Sequence, residues 1–261
     1  MSTTLSNKKY HFITGLPRAG STLLTSILNQ NSRFHSSITD PLATLVKGVL
    51  DTSQEGPGSR SEVPIERRKN LLYYLFEGFY AHIDKPIIFN TNRAWTLLTP
   101  LMAELYPDSK MIVCVRDIRW ILDSFELAHR RNPLSKNSFF GGSGTTVYAR
   151  MDSLMAEDGI VGFAYVGIKQ AITGGEKRNI MLVEYDQLCK NPDGVLRSIY
   201  NFIGEDYFQH DFNDVEASWD EYDEEIGVKL HSVRKKVEFK PRETILPPDI
   251  IEKYSNMEVW K

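Results

Sequence analysis

The chain has 261 residues, enough for one large domain or two small ones. With 41% hydrophobic and 25% charged residues it has the composition of a soluble globular protein, and a net charge of −3 gives no general attraction to nucleic acid. Two cysteines, Cys114 and Cys189, exclude a disulfide framework, and no apolar run approaches the ~18–20 residues that span a bilayer. Residues 1–9 are polar and carry no apolar leader segment, so the expectation is a reduced, cytoplasmic protein with a flexible N-terminus.

Residues 10–14 predict a buried strand, β-branched at its end. A turn bounded by Gly15 and Gly20 follows, then a helix opening at Ser21 and Thr22 with Leu23, Leu24, Ile27 and Leu28 on its apolar face. The stretch nearly spells G-x-x-x-x-G-K-[ST]. Gly15 and Gly20 keep the spacing, but Ser21 stands where the lysine belongs and the basic residue lies inside the loop, as Arg18. Such a loop still aims backbone N–H groups and a positive helix end at one point, which suits phosphate. The missing lysine argues against ordinary ATP or GTP hydrolysis, where it holds the β- and γ-phosphates.

Residues 33–38 predict a short second strand. Asp40 and Pro41 then cap and open a helix whose apolar face is Leu42, Leu45, Val46, Val49 and Leu50. Residues 54–64 read as a mobile surface loop, and 65–83 as a long helix with Leu71, Leu72, Leu75, Phe76 and Phe79 inward. A third strand spans 86–91 and a helix runs to about residue 105. Residues 110–117 form the clearest strand, five apolar residues ending on Arg116 and Asp117, and a helix follows to about residue 130. Residues 132–147 form a second mobile loop, 148–174 read as one helix, 179–185 as a strand and 194–203 as an amphipathic helix. Residues 208–225 are acidic, and the tail carries a basic run, His231 to Val237.

Strands alternating with helices imply a single α/β domain, a three-layer sandwich with about five parallel strands and a P-loop-like phosphate-binding loop. Ligands of such sheets sit beyond the carboxyl ends of the strands. That rule singles out Arg18, residues 35–40, residues 90–93, Arg116 with Asp117, and Glu184 with Tyr185. Arg116 ends its strand, and Ser124 lies about two turns into the next helix. A guanidinium and a hydroxyl so placed suit a phosphate.

The two anchors together resemble the sulfotransferase family that uses 3′-phosphoadenosine 5′-phosphosulfate (PAPS). Arg18, Ala19, Gly20, Ser21, Thr22 and Leu23 are similar to that family's 5′-phosphosulfate loop. Arg116 and Ser124 resemble its 3′-phosphate site, and Val183 to Leu188 its strand-end tyrosine motif, which gives Tyr185 to the adenine region. Arg18, in place of the lysine of many cytosolic members, looks more like the bacterial and tyrosylprotein branches. The family often covers the nucleotide with a basic return segment, for which Arg234 and Lys235 are the candidates here.

The resemblance implies transfer of the sulfuryl group of PAPS to a hydroxyl or amine of a small-molecule or peptide acceptor, with 3′-phosphoadenosine 5′-phosphate (PAP) as product. It implies no metal, no nucleic acid and no membrane span, and is compatible with a homodimer. Arg18 would stabilise the leaving oxygen. Asp40, beside the position where the tyrosylprotein branch has a glutamate, is the first candidate base and His35 the second. The third strand ends without the histidine of the cytosolic branch; Asn92 and Arg93 there would position substrate. Trp95, Trp120, Phe139 and Phe140 are candidates for an acceptor pocket. A P-loop-like small-molecule kinase and an inactive PAP-binding protein stay open as alternatives.

Overall fold

The strand β1 (Lys9–Gly15) is buried at every position after Lys9, so both of its faces must be covered by other elements. It lies third of five strands, in the order β2–β3–β1–β4–β5, and every pairing is parallel. The others are β2 (Phe34–Ser36), β3 (Ile87–Thr91), β4 (Met111–Val115) and β5 (Ile180–Glu184). The structure, a computed structural model, describes residues 7–131, 145–175, 177–215, 231 and 233–261. The expected loop at 132–147 falls for residues 132–144 outside the described residues, as do Phe139 and Phe140, residues 1–6, and most of the acidic stretch.

The helices α1 (Ser21–Leu28), α2 (Leu42–Thr52), α4 (Ile65–Phe79), α5 (Thr99–Leu105) and α6 (Ile118–Arg131) follow the strands as their patterning predicts. One core cluster joins sheet and helices through Phe12, Phe76, Phe89, Trp95, Ile112 and Phe125. In α2 the buried residues are Leu42, Ala43 and Val46, while Leu45 is exposed. At ~100° per residue Leu45 falls off the stripe those three define. Leu71 is likewise exposed on α4.

Three expectations are corrected. Residues 54–64 hold a helix, α3 (Gly56–Glu62), with Pro57 in its first turn and no buried residue. Residues 148–174 form two helices, α7 (Val147–Met155) and α8 (Ile160–Thr173). The break has a steric cause: a Cβ on Gly159 would lie 2.2 Å from the Ser153 carbonyl oxygen, and one on Gly162 would lie 2.0 Å from that of Ala156. The chain therefore folds back tightly over the end of α7. Tyr185 starts α9 (Tyr185–Lys190) directly after β5 rather than ending the strand. The helices α10 (Pro192–Ile203) and α11 (Pro248–Lys253) complete the described elements.

Candidate functional site

The chain leaves β1 at Gly15, whose φ of 122° and close approach to Cys114 exclude a side chain. Arg18 itself has φ 62°, the left-handed region that L side chains rarely adopt. Gly20, at φ 92°, is the N-cap of α1. Because glycine has no side chain to cap with, the first-turn N–H groups of α1 have no side-chain partner. Ser21, Thr22 and Leu23 line the cleft there together with Pro17, Arg18 and Gly20, while Ala19 is fully buried beneath them.

The second anchor meets this loop. β4 runs beside β1 with Gly15 opposite Cys114, which brings Arg116 to the loop. Arg116 donates to the Arg18 carbonyl oxygen at 3.3 Å, and its guanidinium lies 4.1 Å from the centre of the Tyr185 ring. Its Nε is buried and has no hydrogen-bond partner among the described residues. Burial lowers the Arg116 pKa, and burial raises that of Tyr185. Ser124, on α6, accepts from Arg18 Nε at 3.1 Å. The Tyr185 ring edge fills the place where Gly20 lacks a Cβ, at 2.8 Å.

The C-terminal segment crosses the same opening. Val215 N donates to the Lys235 carbonyl at 2.7 Å and Val237 N to that of Phe212 at 2.8 Å, which pins one end. Asp123 pins the other. It is fully buried and accepts from Thr244 Oγ1 at 2.8 Å and from Ile245 N at 2.7 Å, and its second oxygen pairs with Arg242. At and beside the first of these pins Val233, Arg234, Lys236, Val237 and Glu238 face the cleft. Lys235, expected on the nucleotide, instead pairs with Asp214 at 3.0 Å. Lys236, the next residue along, lines the cleft instead, at the bend formed by Lys235 and Lys236.

The cleft so enclosed has a volume of about 440 Å3. Arg18, Arg93, Arg116, Arg131, Arg234 and Lys236 line it against a single carboxylate, Glu238, in a chain whose net charge is −3. A site with that balance is built for an anion. Among the described residues no cluster of three or more His, Cys, Asp or Glu is gathered as a metal would need, and no helix is long and apolar enough to cross a membrane.

Asp40 and His35 do not line this cleft. Asp40 Oδ2 accepts from Asn90 Nδ2 at 2.6 Å, Ser37 Oγ at 3.0 Å and the Tyr80 hydroxyl at 3.2 Å, and Oδ1 accepts from Leu42 N at 2.9 Å. It is a structural hub at the start of α2. Asn90, whose amide oxygen also accepts from Trp95 Nε1 at 2.7 Å, is fully buried in the same network. His35 packs edge-on to Tyr80, and burial lowers its pKa. Trp95 is core, and Trp120 lies under Arg242. Sequence reasoning left Lys236, His231, Arg131 and Glu238 out of the site. Only their position on segments that return over the cleft marks them, and that is a tertiary property.

A second cavity, of about 570 Å3, shares Arg93 and Ile160 with the first. Arg93 stands just past β3, where Thr14 Oγ1 donates to its carbonyl oxygen at 3.2 Å.

The sequence matches the family model described as "Sulfotransferase family" over residues 11–209. No curated protein matches it in sequence. Among solved structures it is similar to a sulfotransferase from Alicyclobacillus acidocaldarius, at 16% identity over 85% of this chain and 90% of that one, with a TM-score of 0.52. It is similar to the sulfotransferase domain from the curacin biosynthetic pathway, at 16% identity over 77% and 75% of the two chains and a TM-score of 0.51. Sulfotransferase STF1 from Mycobacterium tuberculosis H37Rv gives 14% identity, 85% and 77% coverage and a TM-score of 0.50. At these identities the likeness is one of fold.

Proposed function

The chain belongs to the sulfotransferase family, and we propose that it moves the sulfuryl group of PAPS to a hydroxyl or amine of an acceptor, leaving PAP. One observation carries the choice of donor: Arg116 meets the Arg18 loop inside a cleft lined by six cations. A donor with phosphate groups at both the 5′ and the 3′ position of its ribose needs two such anchors. The unpartnered Arg116 Nε and the uncapped first turn of α1 are donors still available to it.

In this reading the loop is the phosphate-binding loop: the N–H groups of Ser21, Thr22 and Leu23 and the Arg18 guanidinium hold the 5′-phosphosulfate. Arg116 holds the 3′-phosphate, and Ser124 acts by fixing Arg18. Tyr185 offers its ring to the adenine region, and Arg234 and Lys236 cover the nucleotide. When bound, PAPS supplies an activated sulfuryl group. Sulfuryl transfer demands in-line positioning and stabilisation of the negative charge that grows on the leaving oxygen. Arg18 is suited to the second task, since it is permanently charged and tethered at both backbone and side chain. Both cysteines are free and buried, which supports a reducing, cytoplasmic setting.

Thermal-shift titration with PAP, ADP and ATP tests this reading. PAP is expected to raise the melting temperature well beyond ADP at equal concentration. A larger shift with ATP and Mg2+ than with PAP would instead favour a small-molecule kinase.

A further inference from the structure

The second cavity and its lining point to the acceptor. We infer that this cavity is the acceptor site, that it takes a neutral hydroxyl compound with a flat or alkyl apolar body, and that Asp158 receives the hydroxyl proton. The inference rests on the sulfotransferase reading above and deepens it.

Contiguity gives the place. The two cavities share Arg93 and Ile160, so a group held in the cationic cleft and an acceptor in the second cavity meet at the Arg93 guanidinium. Size and lining give the class. At about 570 Å3 the cavity lies in the range of small-molecule sites. Ile160 and Phe163 form an apolar wall, and Phe163 leaves 37% of its surface exposed, with Val166 one turn on exposed at 42%. An exposed aromatic beside an exposed branched side chain offers a shelf for a ring or an alkyl body. Thr44, Asn92 and Ser153 supply uncharged polar groups. Among the described residues the lining holds one cation, Arg93, which also lines the cationic cleft, so an anionic group on the acceptor finds no further counterpart among them.

Elimination gives the proton acceptor. Asp40 is absent from the lining, and its two oxygens are engaged by four donors. His35 is absent as well, and His231 and Glu238 line the cationic cleft but not this cavity. Asp158 is the single carboxylate among the described residues that line the second cavity. It sits in the tight reversal between α7 and α8, where Gly159 N donates to the Ala156 carbonyl at 2.8 Å, so backbone packing fixes its place. In the transfer the acceptor oxygen bonds to sulfur while the bond from sulfur to the bridging phosphate oxygen breaks. That oxygen keeps the electron pair, and the acceptor's proton passes to an Asp158 carboxylate oxygen.

The test uses the full chain with 2-naphthol as probe. Its fluorescence reports binding to the PAP-loaded protein, and PAP release from PAPS reports turnover. Saturable 2-naphthol binding and turnover are expected in the parent. Asp158→Asn should lower kcat at least tenfold with KM for 2-naphthol within threefold, Asp158→Glu should recover part of it, and neither should change the PAP thermal shift. Phe163→Asp should raise KM at least tenfold with the PAP shift kept. Full kcat in Asp158→Asn would overturn the proton assignment. Absence of 2-naphthol binding beside a normal PAP shift, or faster turnover of an acidic tyrosine peptide, would overturn the acceptor class. Absence of any PAP shift in the parent would remove the donor reading and this inference with it.

Discussion

Arg18 Nε donates to Ser124 Oγ at 3.1 Å, a bond between residues 106 positions apart. A residue held at φ 62° on the loop is thereby tied to the helix that follows the Arg116 strand. Arg116 closes the arrangement from the other side by donating to the Arg18 carbonyl. Loop and second anchor form one unit, in which Ser124 holds the Arg18 side chain and Arg116 its backbone carbonyl.

Different losses are therefore expected from the two anchors. Arg116→Ala should remove most of the preference for PAP over ADP, since a charge-assisted bidentate contact is worth on the order of 2–3 kcal/mol, or roughly 30- to 150-fold. Ser124→Ala should leave that preference standing and lower turnover, because Arg18 loses its tether. Isothermal titration of PAP and ADP against both variants measures the difference. A mutant at 116 that still discriminates would show that the 3′-phosphate is held elsewhere.

The sheet was legible because its strands are short apolar runs between turn residues, and a strand buried on both faces has little else to encode. The Gly15–Gly20 turn and the placement of Arg116 beside it were legible because both follow from local chemistry at a strand end. The surroundings of Asp40 were not legible for a physical reason: a carboxylate before a helix reads the same whether it faces a ligand or accepts from its neighbour Ser37 and from the buried, distant Asn90 and Tyr80. Which of Lys235 and Lys236 lines the cleft depends on how the bend at these residues is held, which is set by its backbone pairing to Phe212 and Val215. The break between α7 and α8 is hidden in sequence because Gly159 and Gly162 look like tolerated helix glycines until the carbonyls beneath them are placed.

The two loop glycines separate folding from binding. A Cβ at Gly15 would lie 2.1 Å from the Cys114 carbonyl oxygen, against backbone at the centre of the sheet, at φ 122°. Gly15→Ala is expected to express without a cooperative melting transition. At Gly20 the clash is with the Tyr185 side chain, at 2.8 Å, which can swing away. Gly20→Ala should fold, with a lower melting temperature from its φ of 92°, and lose PAP affinity as the ring leaves Arg116. Circular-dichroism melts and PAP titration of both proteins decide the matter; equal behaviour of the two would refute the distinction.

Stability should fall on mild acidification through two buried histidines. Burial lowers His11 to about 4, with Lys9 adding to the effect, and burial lowers His210 to about 4 as well. Their folded values lie below the ordinary 6.5, so the unfolded chain binds more protons between about pH 6.5 and 4. Their stability contribution is present above pH 6.5 and is lost as pH falls through that window. His11 Nδ1 accepts from Lys110 N at 3.1 Å, and His210 Nε2 pairs with the Tyr200 hydroxyl at 3.0 Å. Urea denaturation at pH 7.5 and pH 5 is expected to show a clear loss at the lower pH, and His210→Gln should flatten the dependence. An identical slope in that variant would exclude His210 as a source of the loss.

Asp123 offers a way to loosen the cleft's cover without touching a residue that lines it. Its carboxylate, fully buried on α6 next to Ser124, receives Thr244, Ile245 and Arg242 from the chain that has just crossed the opening. Removing one member of a buried charged network costs about 3–5 kcal/mol, so Asp123→Ala should be strongly destabilised. Arg242→Met is milder, because that guanidinium is partly exposed and rests on Trp120. It should keep most of the melting temperature and the backbone anchor at Ile245, yet admit protease to residues 233–242 faster than in the parent. If Arg234 and Lys236 cover the nucleotide, saturating PAP should slow that cleavage in both proteins, and PAP should bind Arg242→Met several-fold more weakly. Proteolysis that PAP leaves unchanged would mean that the segment crosses the cleft without closing on its ligand.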